Sequence, residues 1–178
     1  MYELLRYACT VHPDPLALDR QVCFALAATS RSVIGLYRPV LEPLGLTHPQ
    51  YLVMLALWER SPRTARDIAD TLFLEPPTLT PLLKRLESAG YLTRGRNPAN
   101  ERELTVELTD EGRALRQQAE QVPGRIVERL GVPVGFLQEV RDSLTTLLEA
   151  TRGADARATE AARLERGSAA PTPRAGTC

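Results

Sequence analysis

The sequence predicts a mainly α-helical protein with a small β-hairpin, built as a winged helix-turn-helix between two sets of flanking helices. Three observations lead there. Residues 47–108 hold two short helical patterns separated by a tight break, then a strand, a charged turn and a second strand. Apolar stripes with helical spacing lie on both sides of that stretch. The 178 residues are 43% hydrophobic and 25% charged, enough to bury a globular core, and no apolar run reaches membrane-spanning length.

Residues 1–15 contain Pro13 and Pro15, show no periodicity and read as an N-terminal arm. Residues 16–46 read as a dimerisation helix. From Leu16 to about Leu41, apolar residues recur at Leu18, Val22, Leu26, Val33, Tyr37 and Leu41, one face of a long helix. Pro39 and Pro43 bend or end it, and Gly45 closes it. Thr47 caps the next helix, with Pro49 in its first turn and Leu52, Leu55 and Leu57 turned inward.

Ser61-Pro62 breaks that helix, and Thr64 caps a short one whose stripe is Ile68, Ala69 and Leu72. Glu75-Pro76-Pro77 reads as the turn of the helix-turn-helix. The second helix then runs from Thr78 to Ala89, with Leu79, Leu82, Leu83 and Leu86 inward and Gly90 as the stop. A strand follows at 91–96, turn chemistry at 97–100, and a returning strand in which Leu104, Val106 and Leu108 alternate. Residues 109–152 read as C-terminal dimerisation helices: one from Asp110 with a kink at Pro123, and one from Val134 to Thr151. Residues 153–178 have almost no large apolar side chains and read as a disordered tail.

The stripes of the terminal helices are wider than a small winged domain needs. They either cap their own chain or meet a second copy across a two-fold axis, which a palindromic DNA site would also require. Net charge is zero, yet Lys84, Arg85, Arg94, Arg96 and Arg102 face only Glu87 and Glu101 within residues 84–102. Phosphate binding needs a basic face, not a basic protein. Cys9, Cys23 and Cys178 show no metal-ligand spacing. With only His12 and His48, no paired nucleophile and base, and no phosphate-cradling loop, nothing marks an enzyme, a metal site or a cofactor. The N-terminal MYELLRYACTVHPDP has no signal-peptide core, which predicts a cytoplasmic protein.

The strings QVCFALAATSR, YRPVLEPLGLTHPQYLVMLALWE, LTPLLKRLESAGYLTR and ERELTVELTDEG resemble the MarR family of bacterial transcription regulators. Within it they are similar to the organic-hydroperoxide-sensing, OhrR-type branch. The resemblance spans about three quarters of the chain, from Leu18 to Ala150. It implies a helical homodimer with winged lobes that represses by binding DNA, and release when a peroxide oxidises a cysteine in the first helix.

That cysteine matches Cys23. Read without the resemblance, Cys23 is a small hydrophobe beside the apolar stripe. In the family two tyrosines hydrogen-bond the sensor. One matches Tyr37; the other position is Ala27, and a further family tyrosine near the second helix is His48, which supplies a donor or a positive charge instead. Cys23 and Tyr37 are fourteen positions apart, about 21 Å along one helix. They meet only if the first helices of two subunits cross. No resolving cysteine lies between 24 and 177, which leaves Cys9, Cys178 or a small thiol.

In a helix-turn-helix the second helix enters the major groove. The base-facing candidates are Thr78, Thr80, Pro81, Lys84 and Arg85, while Arg94, Arg96 and Arg102 lie on or beside the wing, placed for phosphate or a minor groove. The family's wing usually carries Asp where this chain has Asn100. A second functional reading keeps the same fold: a MarR-type regulator released by a small aromatic or anionic ligand between core and winged lobes. The departures at Ala27 and His48 keep it open, and a Cys23→Ser protein that still leaves DNA on adding ligand would favour it.

Overall fold

The structure is a computed structural model and describes residues 14–97 and 100–168. It divides after Arg129 into two compact units. Cys9, His12 and Cys178 lie outside the described residues, as does the side chain of Arg102.

The first unit begins with a 3-10 turn at Leu18–Arg20, pinned by Gln21, whose amide donates to the Pro15 carbonyl at 2.9 Å. Helix α1 follows as Val22–Leu41. Pro39 sits inside its last turn, and the helix closes through a second 3-10 turn, Glu42–Leu44, onto Gly45 at φ 65°, a left-handed position that glycine adopts without strain. Of its twenty residues only Val40 and Leu41 are buried. Val22, Phe24, Leu26 and Ile34 stand exposed.

Helix α2, His48–Glu59, starts with a capping box between Thr47 and Gln50. Tyr51, Val53, Met54, Ala56 and Leu57 are buried, whereas Leu55, expected inward, is 42% exposed. The helix is apolar on nearly every face, so periodicity does not select the packed one.

The sheet has three strands in the order β1-β3-β2, not the two expected. Strand β1 is only Arg63–Thr64 and pairs with Val106 and Thr105, too short to leave a period-2 pattern. Strands β2, Leu92–Asn97, and β3, Asn100–Leu108, form the wing. Val106 and Leu108 are buried, but Leu104, beyond the last β3 residue that β1 pairs, is 38% exposed at the edge of a groove it shares with Ala69, Leu79 and Leu83.

Helix α3, Ala65–Leu72, is capped by Thr64, whose hydroxyl accepts from the Asp67 amide, and ends on Phe73 in the left-handed region. Helix α4 is Pro76–Ser88. The two prolines expected in the turn belong to its first turn, where a missing N–H costs nothing. The turn itself is 73–75. Leu79, Leu82, Leu83 and Leu86 are buried as the spacing predicts.

Arg63 is buried and ties the helix-turn-helix together. Its guanidinium donates to the Ala56 carbonyl (3.0 Å), Thr71 Oγ1 (2.5 Å) and Asp67 (2.6 Å), and Arg60 meets the same carboxylate at 2.7 Å. The hydrogen bond from Arg63, with that from Arg60, holds the Asp67 carboxyl below the usual carboxylate range against the opposing effect of desolvation. A depressed carboxylate stabilises the fold fully above about pH 4 and loses that contribution as pH falls through its folded value.

The predicted helix from Asp110 is two: α5, Asp110–Ala119, capped by Thr109, and α6, Val122–Leu130, with Pro123 in the first turn of the second. In the second unit α7 runs Val134–Ser168. The helix therefore continues past Gly153, where the sequence predicts disorder. Residues 154–166 are rich in Ala, Arg and Glu, strong helix formers that offset one glycine. Val134, Phe136, Val140, Leu144, Leu147 and Leu148 on its first half are exposed.

Candidate nucleic-acid interface and sensor site

Helix α4 presents one wet face. Thr78, Thr80, Pro81, Lys84 and Arg85 are all exposed, and the four leucines between them are buried under the same helix. The Thr80 hydroxyl donates to the Pro76 carbonyl at 2.9 Å, so it offers its lone pairs and methyl group outward. The exposed Pro76 and Pro77 extend this face by the two residues that sequence assigned to the turn.

The two described arginines of the wing have different surroundings. Arg96 is exposed. Arg94 is not a free cation: its Nε donates to Glu87 Oε2 at 2.9 Å, its backbone N–H donates to Glu87 Oε1 at 3.2 Å, and its Nη2 closes a further bond to Oε2. Its side chain is 20% exposed. The hydrogen bond from Arg94 holds the Glu87 carboxyl below the ordinary range. Arg94 thus joins β2 to α4 instead of reaching out, and the basic face is smaller than the arginine count suggests. Sequence could not show this, since the two residues meet only across the Gly90 turn.

The wing root is fixed at a second point. Trp58 Nε1 donates to the Gly112 carbonyl at 2.8 Å, and the Thr109 hydroxyl donates to the Gly90 carbonyl at 2.6 Å while accepting from Gly112 N–H. The Leu108 amide donates to Ser61 Oγ. These bonds lock α2, the turn after α4, β3 and the start of α5 into one block.

Cys23 lies in the first turn of α1 and is exposed. Tyr37 lies near the other end of that helix, so the two do not meet within one chain. The structure does bring Tyr37 to His48: the rings sit edge to face with centroids 4.9 Å apart. Tyr51 stands 6.1 Å from Tyr37, and Trp58 6.3 Å from Tyr51, extending the pair into an aromatic row that the sequence did not reveal. Burial pushes Tyr37 up and His48 down, and Tyr51 rises through burial and the neighbouring Tyr37. Burial thus favours the neutral form of His48 over the charged one. Ala27 is exposed on α1. Among the described residues no cluster of His, Cys, Asp or Glu has metal-holding geometry, and no helix is long and apolar enough to cross a membrane.

Residues 35–118 match the family model of the transcriptional regulator SarA/Rot. The chain is 39% identical over 136 residues to the organic hydroperoxide resistance transcriptional regulator of Bacillus subtilis, covering 76% of this chain and 92% of the relative. Among solved structures it resembles AbfR of Staphylococcus epidermidis. Reduced AbfR bound to DNA matches with 37% identity and a TM-score of 0.61 over 75% of this chain and 94% of that one. Overoxidised AbfR bound to DNA matches with 38% identity and a TM-score of 0.57 over 73% and 94%. A MarR-family transcriptional regulator of Rhodococcus sp. RHA1 superposes with a TM-score of 0.67 at 27% identity, over 74% of this chain and 95% of that one.

Proposed function

We propose, because this chain belongs to the MarR family of transcriptional regulators and within it to the organic hydroperoxide resistance group, that it is a DNA-binding repressor switched by oxidation of Cys23. Its partner is double-stranded DNA, and it acts as a regulator, not an enzyme. The observation that carries the reading is the division of α4 into a buried leucine side and an exposed side of Thr78, Thr80, Pro81, Lys84 and Arg85, on the second helix of a helix-turn-helix with a wing behind it. Arg96 and Arg102 add phosphate or minor-groove contacts. The test is DNA binding by the purified protein before and after organic hydroperoxide, followed by intact mass: loss of affinity with added oxygen on Cys23 supports it, and unchanged affinity of the oxidised protein refutes it.

The working unit is a cytoplasmic homodimer on a palindromic site. Support comes from the apolar side chains left exposed on α1 and, separately, on α7, far more than solvated helices carry. Residues 16–46 and 109–152 are the dimerisation segments. Light scattering at micromolar concentration is expected to give twice the 19.7 kDa of one chain, and a monomer mass alone would sink this.

Arg85→Ala is expected to lower affinity and relax base preference, by about 1–3 kcal/mol for a guanidinium bidentate to guanine. Comparison of a preferred duplex with random DNA reads this directly. A variant that binds both as the parent does would remove Arg85 from the reading face.

A further inference from the structure

We propose that Glu87 is a positioning residue for DNA binding: through Arg94 it sets the angle of the wing against the recognition helix α4. The inference rests on the DNA-reading assignment above. Three hydrogen bonds join the Glu87 carboxylate to Arg94, one of them from the backbone N–H of β2, so the carboxylate holds the strand itself and not only its side chain.

The place of this contact is what gives it leverage. Arg94 pairs with Val106, in the register where β1 still flanks β3 through Arg63; one residue on, Gly95 pairs with Thr105, the last β3 residue that β1 reaches. From Leu104 outward the hairpin has no third strand. Gly95 has open space around it and no side chain to stiffen the strand. On the same face as Arg94, a groove of about 540 Å³ bordered by Ala69, Leu79, Leu83, Arg94 and Leu104 opens between the hairpin and helices α3 and α4. The groove leaves space beside the hairpin, and the Glu87–Arg94 contact ties β2 to α4 immediately before the glycine.

Glu87 contributes to binding through geometry, and simple charge predicts the opposite sign. Removing an acid from a DNA-facing lobe strengthens phosphate attraction, so on electrostatics alone Glu87→Gln binds DNA more tightly. A loosened wing binds specific DNA more weakly, and it makes Arg96 less useful, because Arg96 reaches DNA only when the hairpin is aimed.

The experiment uses full-length dimer and a duplex selected by the parent protein from a randomised pool. Affinities are measured for the parent, Glu87→Gln, Arg96→Ala and the double variant, with thermal melts to set a temperature at which each is folded. Glu87→Asp, which keeps the charge and shortens the reach, is the second variant. The expected result is at least threefold weaker binding by both Glu87 variants, and a cost of Arg96→Ala smaller by at least about threefold in the Glu87→Gln background, the scale of coupling within one network. A loss of stability alone does not produce that coupling. Unchanged or tighter binding by Glu87→Gln, or an Arg96→Ala cost that is the same in both backgrounds, overturns the proposal. A parent protein that selects no duplex overturns the DNA-reading assignment itself, and this inference with it.

Discussion

Cumene hydroperoxide is expected to lower the DNA affinity of the parent protein about 5–150-fold, the usual span of a coupling between two sites, and Cys23→Ser is expected to abolish that response. The Cys23 thiolate attacks the distal peroxide oxygen; the O–O bond breaks, sulfur is oxidised to S–OH, and the leaving alkoxide takes a proton to become the alcohol. The sulfenic acid is larger and more polar than the thiol. Cys23 sits among Val22, Phe24 and Leu26 on a helix with only two buried residues, so any dimer formed through that face packs apolar surface around the new hydroxyl. Burying it without a partner costs about 1–3 kcal/mol, which is enough to shift a two-state dimer. Ala27 supplies no donor, so oxidation is expected to run more slowly than in relatives with a tyrosine there. Gel-shift titrations of both proteins read the effect. Equal release by parent and Cys23→Ser, or retention of DNA by demonstrably oxidised parent, sinks the redox switch and leaves the small-ligand regulator.

Gly112→Ala is expected to be the most damaging small substitution in the described chain. Helix propensity alone predicts the reverse, since alanine is favoured over glycine inside a helix by about 1 kcal/mol. A Cβ at this position would lie 2.0 Å from the Tyr91 carbonyl oxygen, 2.9 Å from its carbon and 3.2 Å from Leu108 Cδ2. The obstacle is backbone, so no side-chain rotation relieves it. The Tyr91 carbonyl also accepts from Thr109 N–H, and the Gly112 carbonyl accepts from Trp58, so a shift spreads to the wing root. Overpacking of this kind costs about 1–3 kcal/mol, here expected near the upper end, or a fall of roughly 6–12 °C in melting midpoint. An unchanged midpoint by circular dichroism would show that the helix start has room to give.

Local chemistry by itself determined most of the elements. Thr47, Thr64, Gly45 and the leucines of α4 announce their caps, stops and buried side within a few residues, because capping and periodicity are short-range. The exposed face of α4 was legible for the same reason: four leucines at helical spacing fix which side is buried and which is left exposed. The family strings carried the position of Cys23.

Tertiary structure alone decided the rest. Leu55 and Leu104 stay partly exposed although their patterns point inward, because coverage depends on which neighbour reaches them. Two residues of β1 cannot be seen before β3 is there to pair with them. Arg94 reads as a phosphate ligand until Glu87, seven residues earlier and across a turn, takes its guanidinium. His48 reads as a possible cation until the fold half-buries it beside Tyr37, which disfavours the charged form. A charge acquires its role from what lies beside it in space, and sequence spacing does not encode that once the chain has turned.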